Sequence, residues 1–92
     1  MDINFMEFEY DFNKSQINKQ KHGIDFEEAK ALWLDEDRVH IQAKSDTEPR
    51  FALIAYYNGK LWSAFYTHRE SYIRIISVRR SRDNERKLYY EG

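Results

Sequence analysis

The chain has 92 residues, 41% of them hydrophobic and 16% aromatic, with a formal charge of −1; that length holds one compact domain, spanning residues 1–92, and leaves no room for a second core. The absence of cysteine excludes disulfides and thiolate chemistry, and the longest uncharged apolar stretch, residues 51–57, is far too short to span a bilayer. With no signal-peptide layout at its start, the sequence predicts a cytoplasmic protein with no membrane contact. The near-neutral total conceals a polarised molecule. Residues 1–37 hold four Lys against ten Asp and Glu, a charge of −6, while residues 38–92 hold eleven Lys and Arg against six Asp and Glu, a charge of +5. A basic half of this kind suits a phosphate-rich ligand or an acidic partner protein.

In chain order, residues 6–10 alternate apolar and acidic, as a short strand with one buried face does. Asp11 is placed as the N-cap of a first helix and Gly23 as the residue that ends it. Within that helix Lys14, Asn18, Lys21 and His22 fall at i, i+4, i+7 and i+8 and make a polar stripe. Asp25 opens a second helix, with Glu28 completing a capping box and Ile24 and Ala29 placed as a hydrophobic staple. This helix runs to about Leu34 and buries Phe26, Ala29 and Leu32 or Trp33. The remainder reads as an antiparallel meander over residues 38–44, 50–57, 61–67 and 72–80. A last helix follows, capped by Ser81 or Asp83. The order is β-α-α-β-β-β-β-α, an α+β domain whose antiparallel sheet is covered by helices on one face.

Asn58-Gly59 is a type I′ hairpin signal, because both central positions need positive φ. That turn pairs Tyr57 with Lys60, Phe51 with Tyr66 and Leu53 with Ala64. A turn at Arg69-Glu70 pairs Tyr66 with Ile73 and Ala64 with Ile75, and a five-residue loop over 45–49 pairs Ala43 with Phe51 and Ile41 with Leu53. These registers put Val39, Ile41, Ala43, Phe51, Leu53, Ala55, Trp62, Ala64, Tyr66, Ile73 and Ile75 on the face expected beneath the helices. The opposite face then carries Arg38, His40, Gln42, Lys44, Arg50, Ser63, Thr67, Tyr72, Arg74 and Arg80, among the apolar Ala52, Ile54, Phe65, Ile76 and Val78.

Converging arginines can hold a phosphodiester, since guanidinium binds phosphate in two-pronged fashion and keeps its charge. Metal-free RNA cleavage needs a base for the 2′-OH proton, a cation for the phosphorane and an acid for the leaving 5′-oxygen. His40 is the candidate base or acid, Arg50 and Arg74 are the candidate phosphorane stabilisers, and Tyr72 is a candidate stacking platform. Glu48, two residues from Arg50, pairs with it or acts as a base. The competing reading makes all of these solvated strand residues. His22 suits a helix C-terminus, His68 a hairpin end, and Trp33 and Trp62 the core. The three histidines have no metal-ligand spacing.

Two long blocks carry a family resemblance. The run Phe8-Glu9-Tyr10-Asp11-Phe12-Asn13-Lys14, then Asn18 and Lys21-His22-Gly23-Ile24-Asp25-Phe26-Glu27-Glu28-Ala29, resembles the N-terminal signature of the BrnT toxins. Glu48-x-Arg50, Tyr66-Thr67 and residues 73–80 through Glu85-Arg86 resemble the rest. The resemblance implies a RelE-like fold and a type II toxin: a metal-independent, cofactor-free endoribonuclease that cuts RNA and blocks translation. It also implies a ribbon-helix-helix antitoxin of the BrnA kind, two toxins on one antitoxin dimer, with operator DNA met only through the antitoxin. The family's polar positions fall on Lys14, Asn18, Lys21, His22, Glu48, Arg50, Arg74, Arg79 and Arg86. RNA contacts are thus expected at Lys14, Lys21, His22, Tyr72, Arg79, Arg80 and Arg86, with catalysis at Arg50, Arg74, Glu48 and His40. The chain departs from the pattern at Phe12, where proline is usual, at Pro49, and at Lys44-Ser45-Asp46, where many members have a histidine; His40 matches no family position. A non-catalytic RNA-binding domain and a regulatory subunit that only binds an acidic antitoxin segment use the same arginines. Treating RNA with the protein, with and without EDTA, separates the three.

Overall fold

The computed structural model describes residues 6–44 and 46–92. The elements are β1 (Glu7–Glu9), α1 (Phe12–His22), α2 (Phe26–Ala29) continued by a 3-10 turn (Lys30–Leu34), β2 (Val39–Ala43), β3 (Arg50–Tyr57), β4 (Lys60–Arg69), β5 (Tyr72–Arg80) and α3 (Asp83–Glu91). Class and element order are those expected from the sequence. The five strands form one sheet in the order β1-β5-β4-β3-β2. It is mixed, not purely antiparallel, because β1 returns to the far edge and pairs parallel with β5.

The helix ends follow local chemistry. Asp11 accepts the Lys14 N–H at 3.0 Å and Gly23 closes α1 at φ 80°. Asp25 and Glu28 exchange reciprocal side-chain bonds with each other's backbone N–H groups, the capping box. α1 buries almost no apolar surface; its buried side chains are Ser15 and Asn18. Ser15 accepts the Phe26 N–H, and the Asn18 amide donates to the carbonyls of Ile24 and Val78 while accepting the Val78 N–H. β1 pairs with β5 only over Tyr72–Arg74, so Asn18 satisfies the part of the β5 edge that β1 does not reach. The α2 segment supplies Phe26, Ala29, Leu32 and Trp33 to a core shared with Leu53, Ala55, Trp62, Ala64, Tyr66, Ile73, Ile75 and Val78.

The turn at Asn58-Gly59 has φ values of 52° and 81°, and the β3–β4 register is the expected one. The other two registers differ. β2 is slipped by one residue: His40 pairs with Leu53, Ile41 with Ala52 and Ala43 with Arg50. Because side chains alternate with period two, the slip turns His40 and Gln42 to the helix-covered face, and Val39, Ile41 and Ala43 to the other. The loop expected at 45–49 begins with Ser45, which lies outside the described residues.

The cause is α3, which packs on the face expected to be open. Ser63 bonds Glu85 there, and Val39 lies close to the end of the helix. Ala52 and Ile54 are buried on that same face, so the apolar residues of β2 turn towards α3. The helices therefore cover both faces of the sheet, not one.

Between β4 and β5 the turn is Glu70-Ser71, with Glu70 at φ 56°. Arg69 consequently pairs with Tyr72 and Tyr66 with Ile75, and a bulge then shifts the pairing to Ala64 with Val78 and Trp62 with Arg80. The extra residue reverses the facing of everything after it. Val78 and Arg80 thus join the face that packs against the α2 segment, and Arg79 takes the α3 face. α3 starts with Arg82 in the N-cap position, not Ser81 or Asp83, and Glu85 accepts the Arg82 N–H at 2.8 Å.

Candidate nucleic-acid interface

The half of the α3 face that α3 leaves open carries a polar row. Thr67 pairs with Arg74, and the Phe51–Tyr66 register sets Arg50 beside Thr67, so β3, β4 and β5 present Arg50, Thr67 and Arg74 side by side. Thr67 is held by its hydroxyl donating to the Pro49 carbonyl at 3.1 Å. Arg74 is partly buried, with Nη1 3.6 Å from a Glu9 carboxylate oxygen. Arg50 is exposed and makes no side-chain ion pair or hydrogen bond to any other described residue. Tyr72 is exposed beyond Arg74. Glu48 does not pair with Arg50; its carboxylate lies 3.3 Å from Arg69 Nη2, because Arg69 occupies the same end of the same face.

The other expected contacts scatter. Arg79 is tied to α3: its two terminal nitrogens donate to the two Glu85 oxygens at 2.8 Å each, and its guanidinium lies 5.0 Å from the Phe65 ring centre. Burial pushes the Glu85 carboxyl up. Bonds from Arg79, the Arg82 N–H and Ser63 outweigh it and hold the pKa below the ordinary value of 4.5. Arg80 sits across the sheet over Trp62. Lys14, Lys21 and His22 are exposed on α1 and Arg86 on α3. No described hydrogen bond or ion pair joins them to Arg50 or Arg74.

His40 instead lies on the helix side, where a cavity of about 220 Å³ is lined by Met6, Trp33, Arg38, His40, Tyr66, His68 and Ile73. His40 Nδ1 and the Tyr66 hydroxyl are 2.7 Å apart. The His68 ring packs edge-on against Tyr66 and Phe51, with centroid separations of 5.6 and 5.3 Å. Arg38 Nη1 donates to the Asp35 carbonyl, while its Nε is buried without a partner among the described residues. Burial first, then the charges of Arg38 and His68, lower the His40 pKa from 6.5; burial raises that of the Tyr66 phenol. His68, expected at a hairpin end, stands within β4. The signal that marks it is plain alternation: Trp62, Ala64, Tyr66 and His68 are successive residues of one face of β4.

Sequence comparison supplies the remaining evidence. A search of curated proteins finds no match. The family model described as "Ribonuclease toxin, BrnT, of type II toxin-antitoxin system" matches residues 10–85, from Tyr10, just before the first helix cap, to the Glu85 that anchors Arg79. That span contains α1, α2 and all four meander strands, including Asn18, Arg50, Thr67, Arg74 and Arg79, and the chain therefore belongs to the BrnT family of type II toxin–antitoxin ribonuclease toxins.

Proposed function

We propose that this toxin cleaves RNA in the cytoplasm without a metal ion, stops translation by doing so, and grips the RNA backbone with the Arg50–Thr67–Arg74 row. The observation that carries this reading is the state of Arg50: exposed, and with no acidic partner among the described residues, beside a second arginine on the next strand but one. Charge without a protein counterpart is what a phosphodiester satisfies. Tyr72 extends the row as a stacking platform, Arg86, Lys14 and Lys21 are outlying cationic contacts, and His22 is an outlying polar one. The family's antitoxin partner is here a ribbon-helix-helix dimer whose acidic segment covers the row and carries two toxin copies; the +5 charge of residues 38–92 steers that association.

The test is cleavage of labelled RNA, free with EDTA present and in a translating extract without it. Wild-type protein cuts in at least one setting. Arg50→Ala and Arg74→Ala each weaken binding and reduce the slope of affinity against salt by about one unit, with an unchanged melting transition. Binding without cleavage in either setting refutes the proposal, and cleavage of free RNA that EDTA abolishes refutes its metal-free part. A complex with one toxin per antitoxin dimer refutes the stoichiometry alone.

A further inference from the structure

We propose that His40 and His68, set around the Tyr66 ring beside Arg38, are the proton-transfer pair of this ribonuclease, on the face of the sheet opposite the arginine row. The inference rests on the ribonuclease reading and assigns its chemistry to a site that the row does not contain. Four observations meet there. Two imidazoles line one cavity from β2 and β4. His40 Nδ1 is committed to the Tyr66 hydroxyl, so in the tautomer that donates Nδ1–H to that oxygen, Nε2 is the open base. His68 touches Tyr66 and Phe51 by ring contact only, and its nitrogens bond no described residue. Arg38 brings a buried Nε–H with no partner, and a phosphate oxygen is the acceptor such a donor lacks.

The charged groups facing His40 are Arg38, ahead of it on the chain, and His68 across β4. Both disfavour its protonation, as does burial. Two imidazoles that line one cavity from different strands can divide the roles of base and acid that the reaction requires. In the step, His40 Nε2 takes the 2′-OH proton as the 2′-oxygen bonds to phosphorus. The P–O5′ bond breaks, His68 gives its proton to the departing O5′, and Arg38 faces the phosphorane. The products are a 2′,3′-cyclic phosphate and a 5′-hydroxyl. Atoms and charge balance without a co-reactant. A neighbouring cavity lined by Glu48, Pro49, Phe51, Thr67 and His68 shares His68 with this site and Thr67 with the arginine row. An RNA strand held by the row can therefore turn over the end of the sheet into the histidine cavity.

The experiment is single-turnover cleavage as a function of pH by the wild type, His40→Gln, His68→Gln and Tyr66→Phe. Affinity for a 2′-O-methyl RNA of the same sequence is measured in parallel. The two histidine variants should each lose roughly 100-fold or more in rate, keep their affinity, and flatten opposite limbs of the pH profile. Tyr66 is a positioning residue, so Tyr66→Phe should lower the rate and displace the His40 limb without removing it. An independent readout is histidine NMR of the wild type: the 2′-O-methyl RNA should shift the His40 and His68 ring signals. If the wild type cleaves while both glutamine variants keep its rate and profile, the pair is wrong and the ribonuclease reading stands. Unmoved His40 and His68 signals in bound protein overturn it too. A wild type that cleaves neither free nor ribosome-bound RNA overturns both.

Discussion

Arg79→Ala separates folding from RNA binding at a position where the two are easily confused. Arg79 and Glu85 are joined by two bonds of 2.8 Å, and their side chains are 22% and 9% exposed. Removing the guanidinium leaves a carboxylate buried beneath α3, and breaking such a pair costs about 3–5 kcal/mol. Glu85 keeps the Ser63 hydroxyl and the Arg82 N–H, so the lower end, about 3 kcal/mol, is expected. In a protein of this size that corresponds to a fall in Tm of roughly 12–24 °C. Urea unfolding of Arg79→Ala, Glu85→Gln and the double variant measures the coupling, which should exceed about 1 kcal/mol. The pH dependence has a defined sign. Glu85 is held below 4.5 in the folded state, so its contribution is complete above that value and is lost as pH falls below it. Arg79→Ala should flatten this acid limb. A loss under about 1 kcal/mol with no coupling would refute the structural assignment, and Arg79 would return to the list of RNA contacts. Reduced toxicity of Arg79→Ala is otherwise a folding defect.

Asn18→Ala strands the Val78 N–H and two buried carbonyls, and should cost about 2–4 kcal/mol by denaturant unfolding; retention of wild-type stability would remove Asn18 as the cover of the β5 edge. Leu53→Ala, at a fully buried position over which the α2 segment packs, should cost about 2–5 kcal/mol in the same assay. Gly59→Ala meets no neighbour, but its φ of 81° should cost about 1–2 kcal/mol. Arg50→Ala, by contrast, should leave the unfolding midpoint unchanged while weakening RNA affinity, since it breaks no described contact.

Features set by neighbouring residues were legible in the sequence by itself. The Asp11 and Asp25 caps, Gly23, the Asn58-Gly59 turn and the element order all follow from local chemistry, and each stands in the structure. The facing of β3 against β4 was legible too, because a two-residue turn fixes register. So was the grouping of Arg50, Thr67 and Arg74, which depends on that hairpin and on an even-numbered shift along β5 that preserves facing. Tertiary structure decided the rest. The residues of β2 sit equally well on either face as a pattern, and α3, far along the chain, selects the face by needing apolar residues beneath it. The continuous apolar run from Phe51 to Ala55 was the local trace of burial on both sides. The bulge in β5 has no sequence mark, yet it turns Arg79 to Glu85 and Arg80 to Trp62. A single added residue reverses every side chain beyond it, so the facing of His40, Arg79 and Arg80 depended on long-range packing that alternation alone does not encode.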